Sequence, residues 1–127
     1  MRVFRTARFR RFMEDHCLPD HVACKAAREV SSGLIHASLG GGVYKQRIAR
    51  PGQGKSGGFR TILFFKMDGF AFLIMGFAKS DRENLTSHEL KTLKDLAREM
   101  LSYDQKRIER AIEGGSLEEL GCKESVS

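Results

Sequence analysis

Two strongly apolar runs, residues 60–67 and 70–77, are separated only by Asp68-Gly69. A two-residue hairpin turn needs positive φ at its central positions, which Asp-Gly supplies at little steric cost, so the pair predicts a β-hairpin. Such a turn also sets the register: Met67 opposite Phe70, Ile62 opposite Met75 and Arg60 opposite Phe77. Alternation then puts Arg60, Ile62, Phe64 and Lys66 on one face with Phe77, Met75, Leu73 and Ala71, and Lys79 beside Phe77 if the strand runs on. Thr61, Leu63, Phe65, Phe72 and Ile74 form the other face. Both faces are largely apolar, so both need cover. Helices supply one layer, and a C-terminal helix or a partner protein the second.

The remaining pattern offers that cover. Phe9, Phe12 and Met13 recur at helical spacing in residues 6–16. After Pro19-Asp20, the residues Val22, Ala23, Ala26, Ala27 and Val30 give a second helical face, stopped at Gly33. Residues 2–4 read as a short first strand and 34–39 as a connection ending in Gly40-Gly41-Gly42. Residues 43–49 read as a strand and 51–58 as a glycine-rich loop. Thr86 and Glu89 make a capping box ahead of Leu90, Leu93, Leu96, Ala97, Met100 and Leu101. Ser102 and Gln105 make a second box, opening a short helix through Ile108 and Ile112 that Gly114-Gly115 breaks. Residues 116–120 read as at most one more turn. The 127 residues suit one modest core. The expected architecture is a single α+β domain over residues 1–113, with a tail over 114–127.

Charge is distributed unevenly. The net charge is +6, and no acidic residue occurs between Val30 and Met67, a stretch holding Lys45, Arg47, Arg50, Lys55, Arg60 and Lys66. Like charges repel, so a polyanionic partner would explain their collection; a basic soluble face is the plainer reading. No apolar run approaches membrane-spanning length. The arginine-rich start lacks the apolar stretch of a secretory signal. Cysteines stand at 17, 24 and 122; their odd number and the absence of a CxxC argue against a disulfide framework and for a reducing cytoplasm. His16, Cys17, His21 and Cys24 match no standard zinc spacing, and a buried structural thiol is the simpler reading.

Lys45 and Arg47 are two apart and share a strand face. If that strand neighbours the hairpin, Lys45, Arg47, Arg60, Phe77 and Lys79 converge at one edge of the sheet. An arginine on an apolar sheet face is costly unless an anion or hydrogen-bonding group meets it, so Arg60 most needs a reason. Phe77 is either core or a base-stacking platform. Residues 49–56, Ala-Arg-Pro-Gly-Gln-Gly-Lys-Ser, fit a loose phosphate-loop pattern. They are followed by Gly57-Gly58 and a β run where a phosphate loop would open a helix, so nucleotide hydrolysis is disfavoured. Arg50 and Lys55 on that loop remain candidates for contact with an RNA backbone.

The segments Gly42-Val43-Tyr44-Lys45-Gln46-Arg47-Ile48-Ala49-Arg50, Gly54-Lys55-Ser56-Gly57-Gly58-Phe59-Arg60-Thr61 and Gly76-Phe77-Ala78-Lys79-Ser80-Asp81-Arg82-Glu83-Asn84 resemble the RelE/HigB-like toxins of type II toxin–antitoxin systems, especially a HigB-type subgroup. The resemblance covers the element order over about residues 1–103. It implies a RelE-like fold, with two N-terminal helices packed on a curved antiparallel sheet, followed by C-terminal helices. It also implies mRNA cleavage, commonly at the ribosome, and neutralisation by an antitoxin. Lys45 and Arg47 match the strand where the family places two basic catalytic residues. Arg60 matches the phosphate-holding arginine, and Lys79 and Arg82 part of the basic segment after the last strand. Ser80 stands where related toxins can carry a further arginine, and no residue matches the C-terminal tyrosine of some members.

RNA carries its own nucleophile, so cleavage through the 2′-hydroxyl needs no metal or other cofactor. It needs a base, cations for the developing charge, and an acid for the leaving oxygen. Lys45, crowded by cations, is the expected base; Arg47 and Arg60 hold the phosphate; Lys79 or Arg82 is acid or second clamp. Expected partners are mRNA on the ribosome and a cognate antitoxin of helix-turn-helix type. Operator DNA would be reached only through that antitoxin, and no membrane is expected. The rivals are a basic nucleic-acid-binding protein without chemistry, a toxin of this fold acting on a protein such as gyrase, and a regulatory partner protein.

Overall fold

In the computed structural model, which describes residues 1–50, 52, 58–67, 69–82 and 84–122, the hairpin forms the middle of a sheet. The described residues form β1 (Arg2–Thr6), α1 (Ala7–Asp15), α2 (Asp20–Ser31), β2 (Ala37–Gly40), β3 (Val43–Ile48), β4 (Phe59–Phe65), β5 (Phe70–Ala78), α3 (Ser87–Met100), α4 (Gln105–Glu113) and β6 (Leu117–Leu120). The strand order is β2-β3-β4-β5-β1-β6. Every neighbouring pair is antiparallel except β1 and β5, which run parallel. The expected antiparallel sheet is therefore mixed, and two strands longer than expected.

Both additions have local causes. Ala37 pairs with Lys45 and Ser38 with Tyr44, so part of the expected connection is an edge strand. Residues 117–120, expected in the tail as a turn, pair with β1 instead, Leu117 against Thr6 and Leu120 against Val3. Leu117 and Leu120 are buried, while Glu118 and Glu119 reach Arg5 and Arg2 of β1.

The hairpin register is as expected far from the turn, where Arg60 meets Phe77 and Ile62 meets Met75. Near the turn it is one residue off, with Phe64 against Phe72 and Phe65 against Ala71. A bulge at Ile74 reconciles the halves. Its carbonyl, taken out of the ladder, accepts from the Thr6 hydroxyl at 2.8 Å, while Thr6 Oγ1 also accepts from Phe9 N to cap α1. The bulge corrects the expected faces: Ala71 and Leu73 pack with α1 and α2, whereas Phe72 and Ile74 join Ile62, Phe64, Met75 and Phe77 on the opposite face. Asp68 itself lies outside the described residues.

Two clusters cover the sheet. On one face Phe9, Phe12 and Met13 of α1 and the small residues Ala23, Ala26 and Ala27 of α2 meet Leu63, Leu73 and Ala71. On the other Leu93, Ala97 and Met100 of α3 and Ile108 and Ala111 of α4 meet Phe4, Ile62 and Phe72. Thr86 and Glu89 cap α3 as expected. Asp104, not Ser102, caps α4, accepting from Arg107 N. Cys24 of α2 is joined to Cys122, just beyond β6, by a disulfide. The expectation of an unbridged buried thiol is thus corrected: an unforeseen β6 brings the two cysteines together across 98 residues. Cys17 is exposed and free. No helix among the described residues is long and apolar enough to cross a membrane.

Candidate active site

β3 alternates between two environments. Tyr44 and Ile48 pack toward α2, and Gln46 is buried between them. Val43 packs toward α3, and Lys45 and Arg47 share its side of the strand. Arg47 pairs with Arg60, which pairs with Phe77; one step along, Lys45 pairs with Ile62, which pairs with Met75. The sheet thus sets two arginines directly opposite each other on one face. Like charges at directly opposite positions repel, and an anion at that place relieves the repulsion. Arg60 is only 3% exposed, and its Nη1 donates to Phe59 O at 3.3 Å.

The chain after β5 closes on this row. Lys79 N donates to Gly58 O at 3.1 Å, extending the β4–β5 ladder by one step. Lys45 Nζ donates to Asn84 Oδ1 at 2.9 Å. Arg82 stacks on Phe77, its guanidinium carbon 4.8 Å from the ring centroid, and donates to both carboxylate oxygens of Glu89 at 2.7 and 2.8 Å. Phe77 is therefore core, with Arg82 over it.

Glu89 serves the loop and the helix together. The Arg82 guanidinium and the Thr86 backbone N–H hold its carboxyl down to about 2, from an ordinary 4.5. A depressed carboxylate pKa adds stability above the unfolded value, and the addition is lost as pH falls through the folded one. Glu89→Gln can keep the cap hydrogen bond but removes the charge and one of the two acceptors for Arg82. It is expected to be less stable than the parent at neutral pH, with the gap narrowing below about pH 4.5 and closing near about pH 2. Urea unfolding across that range checks this.

Of the expected site residues, Lys45, Arg47, Arg60, Lys79 and Arg82 are gathered by β3, β4 and the segment after β5. Arg50 is not: it stacks on Phe59, 4.9 Å from the ring centroid, and Phe59 packs among Phe12 and His16 on the opposite face. Lys55 lies outside the described residues. Asn84 reaches the row through Lys45, although sequence reasoning did not single it out. The His36 imidazole is pushed below its usual pKa by partial desolvation and by the nearby charges of Arg47, Lys45 and Arg60. Among the described residues no group of three or more His, Cys, Asp or Glu is placed to hold a metal ion.

Gly58 lets β4 start here. A Cβ at this position would lie 2.3 Å from Ile48 O and 2.8 Å from Arg50 N, both backbone atoms. Gly58→Ala is expected to cost about 1–3 kcal/mol and to spread the end of β3 from β4, weakening the Arg47–Arg60 juxtaposition. Thermal unfolding measures the first effect and anion binding the second.

No curated protein gives a significant match to the chain. A family model described as the RelE toxin of the RelE/RelB toxin–antitoxin system matches residues 1–120, a span that takes in every helix and strand described above. With the mixed sheet, its two helical layers and the basic row across β3 and β4, this chain belongs to the RelE toxin family.

Proposed function

We propose that this toxin is an endoribonuclease that cleaves mRNA at the ribosome and so inhibits translation, using the RNA's own 2′-hydroxyl as nucleophile. The observation that carries the reading is the Arg47–Arg60 cross-strand pair with Lys45 one step away. Three cations on one rigid sheet face suit a phosphate whose charge grows as the new bond forms. The 2′-oxygen bonds to phosphorus and the bond to the 5′-oxygen breaks. This leaves a 2′,3′-cyclic phosphate and, once a proton is delivered, a 5′-hydroxyl. Arg47 and Arg60 hold the non-bridging oxygens. Lys79, at the end of the β4–β5 ladder, is the candidate acid for the leaving oxygen. Arg82, held by Glu89 and Phe77, anchors the segment carrying Lys79 and Asn84. A cognate antitoxin follows from the family; the proposal adds that it is of helix-turn-helix type, brings the toxin to operator DNA, and acts in the cytoplasm.

The test is induced expression in a bacterial host with growth recorded and mRNA 5′ ends mapped. Growth arrest with new mRNA ends supports the nuclease. Arrest with intact mRNA overturns it in favour of a protein target such as gyrase. Salt-sensitive RNA binding without cleavage, in the presence of ribosomes, reduces the protein to a binder.

A further inference from the structure

The nuclease reading uses the side of β3 that carries Lys45 and Arg47. Between the end of the same strand and α2 lies a cavity of about 180 Å³ that it leaves unused. That is several times the ~30 Å³ share of one water, and enough for a flat heterocycle. Val22 and Ala26 of α2, with Ile48 and Ala49, give it apolar walls, and exposed Lys25 adds a cation. Glu29, the acid in the lining, is engaged within the fold. Arg47 belongs both to this lining and to the basic row. Its main chain is turned outward. Phe65 N donates to Gly42 O, so alternation along the β3–β4 ladder turns the N–H and C=O of Val43, Lys45 and Arg47 away from β4. β2 takes up this edge only as far as Lys45, opposite Ala37. There the buried Gln46 carboxamide holds the chain before β2, its Nε2 donating to Leu34 O at 2.8 Å and its Oε1 accepting from His36 N at 2.9 Å. Among the described residues no strand pairs with Arg47 on that side.

We propose that this cavity is a base subsite, holding one unpaired base of the RNA whose phosphate lies at the row; this rests on the nuclease reading above and adds a substrate contact to it. Three features match such a ligand. Apolar walls suit the faces of a flat ring, and single-stranded RNA is read by taking unstacked bases into such places. Every base carries a hydrogen-bond donor beside an acceptor on its pairing edge, and the outward N–H and C=O of Arg47 offer the complement at an open strand end. The Arg47 side chain lies on the face of the row, where it meets the phosphate, and Lys25 adds positive charge for the sugar–phosphate chain. A base and its phosphate are separated by one ribose, roughly the reach of an arginine side chain, so one residue can hold both. Cleavage then depends on which base lies beside the scissile phosphate.

The test is an NMR titration of the full chain with the four nucleoside 5′-monophosphates and, as the base-free control, ribose 5-phosphate, followed by cleavage of mRNA on programmed ribosomes. At least one nucleotide should bind about tenfold or more tighter than ribose 5-phosphate, and should shift the Ala26 and Ala49 methyl signals, which the sugar phosphate leaves in place. Val22→Phe fills the cavity from α2. It should bring that nucleotide down to the level of ribose 5-phosphate, leave ribose 5-phosphate binding unchanged, and raise KM for RNA about tenfold with kcat within about threefold. Ala49→Leu fills the cavity from the end of β3 and decides the matter if the first variant does not fold. Ribose 5-phosphate that binds as well as every nucleotide overturns the inference, and RNA cleavage by the same protein would leave the nuclease standing. A preference for a nucleotide that survives filling puts the base elsewhere and overturns it too. A preference lost on filling, in a protein that leaves RNA whole, keeps the base subsite and removes the nuclease reading alone.

Discussion

Arg60→Ala is expected to slow RNA cleavage by about 10²-fold or more, the usual consequence of removing one preorganised donor aimed at developing charge. Arg60 sits at the centre of the row from Arg47 to Phe77, on a strand hydrogen-bonded on both sides, so no neighbour can swing in to replace it. Arg60→Lys keeps the charge but loses the planar fork that binds two phosphate oxygens together, and should fall between wild type and alanine. The measurement is single-turnover cleavage beside a thermal melt. A folded Arg60→Ala protein that cleaves at the wild-type rate would remove the arginine from the mechanism. Loss of cleavage with loss of fold would be uninformative for alanine, and the lysine variant then decides.

The second large effect concerns the Cys24–Cys122 bridge. Closing a loop of 98 residues limits the unfolded chain, and reduction is expected to lower stability by about 2–4 kcal/mol. Cys122→Ser removes the bridge from the less buried end and should match the reduced wild type. Urea midpoints with and without dithiothreitol check both: reductant should shift wild type and leave the serine variant where it is. A wild-type midpoint indifferent to reductant would mean that the thiols are unbridged in solution.

What could be read from the residues was whatever depends on local pattern. The 3.6-residue spacing of Phe9, Phe12 and Met13, the Thr86–Glu89 box and the Asp-Gly turn each act over a few positions, and the elements they predict are present. The pairing of Arg60 with Phe77 was also legible, though only because the offset at the turn and the bulge at Ile74 cancel. The bulge depends on Thr6, 68 residues away in sequence, which offers a hydroxyl to the freed carbonyl; no local pattern encodes that. β6 was missed because Leu-Glu-Glu-Leu is a helical spelling, and only Arg2 and Arg5 on β1 give its glutamates a reason to lie in a sheet. At the site, Lys45, Arg47 and Arg60 announced themselves through charge at alternating positions. Asn84 enters only through a tertiary contact, a lysine reaching across the fold.

The place of β1 has a cost for incomplete copies of the chain. Synthesis delivers this strand before both of its partners, the parallel one at residues 70–78 and the other at residues 117–120. Contacts so distant in sequence form slowly and late. A copy that stops short, or is clipped before Leu117, keeps β1 with one side unpaired, Val3 and Phe4 included. That is an open template for other chains. Messages cut within their coding region yield such fragments, so a toxin that severs mRNA would also seed its own truncated copies in an aggregation-prone form.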